Sequence, residues 1–359
     1  MAGEVRQPID IASLERYIEQ NVQELKTPLE FGFGQSNPTY LLTAANHKQV
    51  VLRKKPPGKL VSNAAHKVER EYKIIRALRD TDVPVPKAYC LCEDYSVIGT
   101  PFYIMEFLDG RHLTDPAMPG VSGKERKALW KNAVQTLAKI HSVNPKAVGL
   151  ENFGKPAGFF ERQIATFTTI SKVQATVADA DTKEPVGELP HFNDMVTFFS
   201  QRSTQPLDRG TLVHGDYKID NLIFHKTEPR VIGILDWEMA TVGHPLSDFC
   251  NLTGPYIMDG ADSQRSQFAP GVVPELPRRE DCIGWYAEKS GYDVSSDIAW
   301  GDAFFAFRSS VIMQGIAARF ARGQASSARA RDYANRAKPF AEGAWEMVRA
   351  LRRVSGVKL

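Results

Sequence analysis

The segment Leu212-Val213-His214-Gly215-Asp216-Tyr217-Lys218-Ile219-Asp220-Asn221-Leu222-Ile223-Phe224 constrains this chain more than any other. Apolar, strand-like runs bracket a tight polar loop that holds two oxygen-bearing side chains, Asp216 and Asn221. A second apolar run, Val231-Ile232-Gly233-Ile234-Leu235, ends directly in Asp236. A carboxylate, an amide and a second carboxylate therefore fall at the ends of adjacent short strands. Asp, Asn and Gly favour turns in any protein, but turn preference alone does not explain the apolar brackets, the spacing and the following Asp236 together. Phosphoryl transfer needs such a set: one carboxylate to orient a hydroxyl and take its proton, an amide oxygen and another carboxylate to hold a divalent cation against phosphate. On this reading Asp216 is the base, and Asn221 and Asp236 are the metal ligands.

The elements around that segment come in two kinds. Residues 10–25 have helical spacing of apolar side chains, and 29–34, 38–43 and 49–54 read as three short strands. A helix is expected over 62–79, then a rigid connector at Val83-Pro84-Val85-Pro86 and a hairpin formed by strands near 87–94 and 101–107. From Ser122 the pattern turns helical, over 122–141, 157–175 and 187–204, with a polar loop at 175–187. A β-containing island spans 211–236, and further helices are expected at 300–321, 329–335 and 339–353. This order predicts an α+β fold. A sheet-rich N-terminal lobe over 1–108 would carry a hinge at 105–110, and 109–359 would form a larger, mainly helical lobe.

His214-Gly215-Asp216 followed by Asn221 resembles the catalytic loop of aminoglycoside phosphotransferase-like kinases, and Leu235-Asp236-Trp237-Glu238 resembles their metal-binding motif. Protein kinases carry His-Arg-Asp and Asp-Phe-Gly in these places. This chain has neither, and no Ala-Pro-Glu segment follows Asp236, so the resemblance is to the small-molecule branch. It implies a bilobal, protein-kinase-like fold that uses ATP and Mg²⁺. Gly34, Gln35, Ser36 and Asn37 would belong to the loop that covers the nucleotide. Arg53 stands on the strand where the family usually places an ATP-contacting lysine. Strand alternation favours it over Lys54, which should face the other side; Lys55 has the right parity but adjoins Pro56. Glu71 is the expected counter-charge, with Glu69 on a different helix face as runner-up. At the hinge, Met105 would border the adenine, Glu106 would offer its carbonyl, and Leu108 its carbonyl and N–H. His141 and His214 read as structural histidines, and Asp248 as an anchor.

The runs Phe33–Tyr40 and Val51–Gly58, with Leu235–Glu238, look closest to the kinase-like domains fused to, or encoded beside, acyl-CoA dehydrogenases. That branch implies a small-molecule hydroxyl substrate of the hydroxyacyl class, a hydroxy acid or a CoA-linked hydroxyacyl compound such as a 4-hydroxyacyl-CoA, and functional coupling to an acyl-CoA dehydrogenase. An aminoglycoside, a choline-like alcohol or a sugar is the alternative acceptor, and a catalytically inactive nucleotide-binding scaffold the alternative of another class. The formal net charge of +3 over 359 residues argues against a nucleic-acid partner. No apolar run approaches membrane-spanning length, and residues 1–30 are charged and interrupted by Pro8 and Pro28, so no membrane partner and a cytoplasmic location are expected. Cys90 and Cys92 lack a second pair or a nearby histidine and read as reduced thiols.

Overall fold

The computed structural model describes residues 9–33, 39–55, 68–257, 267–324 and 330–355. The covering-loop candidates Gly34, Gln35, Ser36 and Asn37 lie outside the described residues, as does 62–67 of the expected helix. The chain divides into two compact units. One comprises Met1–Met118, Val143–Phe153 and His214–Thr241; the other comprises Pro119–Ser142, Gly154–Val213 and Val242–Leu359. The first unit thus joins the N-terminal segment to the island that carries Asp216, Asn221 and Asp236.

In the first unit, helix α1 (Ile11–Asn21) begins at Asp10, whose carboxylate accepts from the Ser13 N–H at 2.9 Å. A five-stranded sheet follows, formed by β1 (Leu29–Phe33), β2 (Thr39–Ala44), β3 (Gln49–Lys54), β4 (Ala88–Cys92) and β5 (Phe102–Glu106) in the order β1-β2-β3-β5-β4. All its pairings are antiparallel. One face packs Leu42, Val50, Leu52, Phe102 and Ile104 against Leu14 and Ile18 of α1. Each such fully buried aliphatic or aromatic side chain contributes roughly 1.5–3 kcal/mol. The period-2 alternation that fills this face sends Val51 and Arg53 to the other, where Arg53 stands opposite Tyr103 and Val51 opposite Met105. Helix α2 (Val68–Leu78) packs against β5 and buries Val68, Glu71, Ile74, Ile75 and Leu78. Glu71 is the only charged member of that set.

Between β4 and β5 runs a short helix, α3 (Tyr95–Ile98), capped by Asp94. The expected hairpin therefore pairs as expected but closes through a helical turn. The chain then continues from Asp109-Gly110 into β6 (Arg111–His112), which joins β8 (Leu222–Phe224) and β9 (Val231–Ile234) in a second sheet of order β6-β8-β9.

The second unit is mainly helical. Its helices are α4 (Gly123–Ser142), α5 (Phe159–Ala175), α6 (Phe192–Ser200) and α7 (Leu246–Leu252), then α8 (Arg279–Ser290), α9 (Ile298–Ala321) and α10 (Ala330–Ser355). Strand β7 (Thr211–Val213) pairs with β10 (Thr241–Gly243). An aromatic core forms where α5 and α6 meet α9: the Phe199 ring lies 5.2–5.3 Å from those of Trp300, Phe304 and Phe307. Two expectations need correction. The helix expected over 187–204 is confined to Phe192–Ser200, followed by a single 3₁₀ turn at Arg202–Thr204. The helices expected at 329–335 and 339–353 are one, α10, which runs through Pro339. A proline inside a helix removes a hydrogen bond and clashes with the preceding turn. Here the buried Ala337, Ala341, Ala344 and Val348 line one stripe in contact with the core, and that packing carries the helix past it. Cys90, Cys92, Cys250 and Cys282 are all free and buried. Among the described residues no helix is long and apolar enough to cross a membrane.

Candidate active site

The site residues lie in the first unit. Strand β3 presents Arg53 on the face away from the α1 core, beneath α2. Its Nε lies 2.9 Å from Glu71 Oε2, and its Nη2 lies 2.6 Å from Asp236 Oδ1 and 3.9 Å from Glu238 Oε2. Tyr103, the cross-strand partner of Arg53, donates its hydroxyl to Glu71 at 2.8 Å. Glu71 is the helix carboxylate that meets Arg53. Lys54 points to the opposite face of the strand and is buried there, which lowers its pKa.

Burial and charge oppose each other in this cluster. Desolvation pushes the Glu71 carboxyl up to about 7, against the pull of Arg53 and the hydrogen bond from Tyr103. Burial alone would lower the Arg53 pKa, but Glu71 and Asp236 hold it above its ordinary value. With all three carboxylates ionised, one guanidinium faces three negative charges. Carboxylate oxygens of Glu71, Asp236 and Glu238 all come within 4.8 Å of one another, an all-oxygen set of the kind that hard divalent cations take. The residues present therefore fit a magnesium ion, with Asp236 common to this set and to the pair expected from the sequence.

Asp236 is held in an unusual conformation. It follows β9 with φ 66°, in the left-handed region that a non-glycine residue occupies at a cost. Trp237 is buried just beyond it and donates its indole N–H to the Ile234 carbonyl at 3.0 Å. The His214 ring packs 4.6 Å from the Trp237 ring, and its Nε2 lies 3.0 Å from the Leu235 carbonyl. Since the Asp216 N–H donates to His214 Nδ1 at 3.2 Å, Nδ1 is the acceptor and Nε2 carries the proton. His214 thereby couples the turn at Asp216 to the turn at Asp236.

Asp216 and Asn221 meet directly. The Asn221 amide nitrogen donates to the Asp216 carbonyl at 2.8 Å and to its Oδ2 at 3.1 Å, which leaves the amide oxygen for a cation. Asn221 is tied to the Asp236 strand through main chain, the Leu235 N–H donating to the Asn221 carbonyl at 2.9 Å. Lys218, which the sequence reading did not assign, places its ammonium 3.4 Å from Asp216 Oδ2 and 3.3 Å from Asp220 Oδ2. Burial opposes its charge, but these two carboxylates hold its pKa up. The only advance signal was its place two residues after Asp216, and a loop lysine at that spacing is usually solvated. Glu238, two residues after Asp236, is a second group whose place in the cluster the motif alone does not show.

Gly215 has φ 88°, and a Cβ there would fall 2.6 Å from the Met239 carbonyl oxygen and 2.8 Å from Met239 Cβ. No side chain fits, so the arginine that protein kinases carry here is sterically excluded. At the expected hinge, Met105 is buried at the end of β5. The Glu106 N–H donates to the Lys87 carbonyl at 2.8 Å, and the Leu108 carbonyl accepts from Gly110 N–H at 3.0 Å. Leu108 closes over Gly233, where a Cβ would overlap its Cδ1 at 2.0 Å.

His141 and Asp248 lie in the second unit. His141 Nδ1 is 2.6 Å from the Tyr286 hydroxyl and its Nε2 is 3.3 Å from Asp248 Oδ2, all buried.

The family model described as Phosphotransferase enzyme family matches residues 28–280. The chain belongs to that phosphotransferase family. The chain is 35% identical over 357 residues to acyl-CoA dehydrogenase family member 11 of Rattus norvegicus, an alignment that covers 95% of this chain and 43% of that protein. It is 37% identical over 320 residues to acyl-CoA dehydrogenase family member 10 of Mus musculus, with 89% of this chain and 29% of that protein covered. It thus spans less than half the length of these relatives. The crystal structure of an aminoglycoside phosphotransferase-like protein from Ralstonia eutropha superposes with a TM-score of 0.82 at 36% identity, covering 96% of this chain and 99% of that one. The chain has the kinase-like α+β fold.

Proposed function

We propose that this chain transfers the γ-phosphoryl group of ATP to a hydroxyl of a small molecule, and that the acceptor is a hydroxyacyl compound, free or CoA-linked. The observation that carries the chemistry is the gathering of Asp216, Asn221, Asp236, Arg53 and Glu71 in one compact unit, with Asp216 bonded to Asn221 and Arg53 bonded to both Glu71 and Asp236. The family supports phosphotransfer. The names of the relatives support an acyl-type acceptor and functional coupling to an acyl-CoA dehydrogenase.

In this reading the adenine lies beside Met105 and the main chain of Glu106 and Leu108, with Gly34, Gln35, Ser36 and Asn37 over the phosphates. Arg53 clamps phosphate oxygens and is itself aimed by Glu71. Asp216 accepts a hydrogen bond from the acceptor hydroxyl and takes its proton as the oxygen–phosphorus bond forms. The bond from the γ-phosphorus to the β,γ-bridging oxygen breaks, and ADP leaves. Lys218 offers a positive charge beside the transferring group. Magnesium, held by Asn221 and Asp236 with Glu238 beside them, would neutralise phosphate charge. A hydroxyl converted to a phosphate ester becomes a good leaving group, which suits a later elimination from the acyl chain.

The test is transfer of labelled γ-phosphate from Mg-ATP to a panel comprising 4-hydroxyacyl-CoAs, free hydroxy acids, choline, homoserine, sugars and an aminoglycoside, with Asp216→Asn as control. Selective labelling of a hydroxyacyl species that disappears in Asp216→Asn is the expected result. Labelling of another class would discard the acceptor and keep the chemistry. ATP binding with no labelled product would favour a nucleotide-binding scaffold.

A further inference from the structure

Two groups carried by neighbouring strands converge on one carboxylate oxygen of the site. The Tyr103 hydroxyl donates to Glu71 Oε2 at 2.8 Å, and Arg53 Nε lies 2.9 Å from the same atom. Tyr103 and Arg53 stand opposite each other on β5 and β3, whereas Glu71 comes from α2. This oxygen is therefore a point where the helix is tied to the sheet. Tyr103 and Glu71 are each 1% exposed, and the Arg53 side chain 14%. Burial, with the Glu71 charge beside it, pushes the Tyr103 pKa well above its ordinary value, so the phenol stays a donor. Phosphotransfer with Asp216 as base makes no use of this hydroxyl. The way Arg53 divides its nitrogens gives it one. An arginine and a carboxylate favour a planar, two-point pair, with two parallel N–H groups on two oxygens. Arg79 does this with Asp80, Nε at 3.0 Å from one oxygen and Nη2 at 2.7 Å from the other. Arg53 comes closest to Glu71 through Nε but gives Nη2 to Asp236, 2.6 Å away.

We propose that Tyr103 is the positioning residue behind that division. By holding Glu71 Oε2 it keeps the carboxylate from turning both oxygens to the guanidinium, and so leaves Nη2 for Asp236 and for a phosphate oxygen of ATP. This rests on Arg53 as the phosphate clamp of the proposed phosphotransfer, and it adds the residue that aims the clamp. A tyrosine suits the task. Its ring is buried in the sheet, so the hydroxyl has a fixed place, whereas Glu71 could otherwise rotate about its own bonds. Being uncharged, the phenol partners Glu71 without competing with Arg53 for Asp236 or for phosphate. A phenylalanine would leave the buried carboxylate to Arg53 alone. A carboxylate with one cationic partner gains most by taking two of its N–H groups, and Nη2 would then leave Asp236.

The experiment measures binding of the β,γ-imido analogue of ATP, with Mg²⁺, by calorimetry in wild type, Tyr103→Phe, Arg53→Lys and the double variant. Tyr103→Phe should weaken binding about fivefold, a coupling of the size found within one polar network. In the Arg53→Lys background the same change should weaken it by less than about twofold, because an ammonium has no second nitrogen to redirect. With any alcohol that wild type phosphorylates, Tyr103→Phe should raise the KM for ATP and keep kcat within about twofold, a split that general loosening of the fold would not give. Tyr72→Phe is the control: its ring lies 6.2 Å from that of Tyr103, its hydroxyl accepts from Arg76, and it should bind as wild type does. Unchanged binding in Tyr103→Phe overturns the inference. So does an equal loss with arginine and with lysine at position 53, which would make the hydroxyl a matter of packing, and so does a matching loss in Tyr72→Phe. If Arg53→Lys binds as well as wild type, Arg53 is no phosphate clamp and the role of Tyr103 falls with it. Failure of wild type to bind the analogue would instead remove the proposed function itself.

Discussion

Arg53 serves two carboxylates with two different nitrogens, Nε on Glu71 and Nη2 on Asp236. A lysine could meet both carboxylates only from one compact ammonium, without the planar fork that aims separate N–H groups at each, so the arginine here is not a casual replacement. Arg53→Lys should retain the fold but raise the KM for ATP several-fold, read from initial rates against any accepted alcohol; an unchanged KM would show that the fork is not used. Asp216→Asn keeps the shape of the loop and an oxygen toward Asn221 while removing the base. Turnover should fall by ~10²–10⁴, the usual worth of a positioned general base, with nucleotide affinity nearly unchanged by calorimetry. Glu71 sets a pH dependence whose sign follows from its raised pKa of about 7 against an ordinary 4.5. Between those values the folded chain keeps a proton that the unfolded chain has lost. Its contribution to stability is therefore largest below about 4.5, declines as pH rises toward 7, and levels off above. Glu71→Gln cannot ionise and should flatten that part of the stability profile, a change on the order of 3 kcal/mol in urea unfolding across the window. An identical slope in wild type and variant would place the titration elsewhere.

At the scale of elements, α2 decides where Glu71 points, and Arg70 fixes α2. The Arg70 guanidinium stacks 4.1 Å from the Phe153 ring centroid and donates to the Phe153 carbonyl at 3.1 Å and the Ala240 carbonyl at 3.2 Å. One residue thus clamps the helix to the 143–153 segment and to the turn after Asp236, while its neighbour Glu71 engages Arg53. Arg70→Met should lower stability by ~2–3 kcal/mol, from charged hydrogen bonds and stacking lost together, and should raise the KM for ATP by letting Glu71 drift. Loss of stability without any change in KM would reduce Arg70 to a structural residue. The role of Arg70 could not be read in advance, because a helix arginine beside a glutamate is unremarkable until distant carbonyls are known to converge on it, whereas Glu71 was legible as the counter-charge of Arg53. Asp216, Asn221 and Asp236 stood out for the opposite reason: the apolar brackets that build β8 and β9 are local, and so are the motifs at their ends. Period-2 alternation also placed Arg53 and Lys54 on opposite faces of β3. Helix α10 was misread because Pro339 is a local stop signal, whereas the stripe Ala337, Ala341, Ala344 and Val348 that overrides it depends on tertiary contact.

At the scale of the whole molecule, the candidate site draws residues from β3, α2, β5 and the 214–241 island, distant in sequence yet members of one compact unit. The helical unit has its own core, built on Phe160, Phe199, Trp300, Phe304 and Phe307, which owes nothing to those residues. A nucleotide bound at the proposed site would therefore stabilise the first unit directly. By mass action, a non-hydrolysable ATP analogue with Mg²⁺ at a hundred times its Kd should add ~2.7 kcal/mol to whatever opening exposes the site. Native-state hydrogen exchange should show that gain at amides of β3, α2, β5 and the segment from His214 to Thr241, as slower exchange. Amides in the aromatic core of α9 should change less, since their own packing governs their protection. Arg53→Ala should diminish the gain at β3 and α2. Protection confined to the helical unit would mean that the nucleotide binds elsewhere and that the Arg53, Glu71 and Asp236 cluster is a buried ionic network without a ligand. Protection of the first unit that vanishes on omitting Mg²⁺ would tie the same cluster, through Asp236, to the cation as well as to the nucleotide.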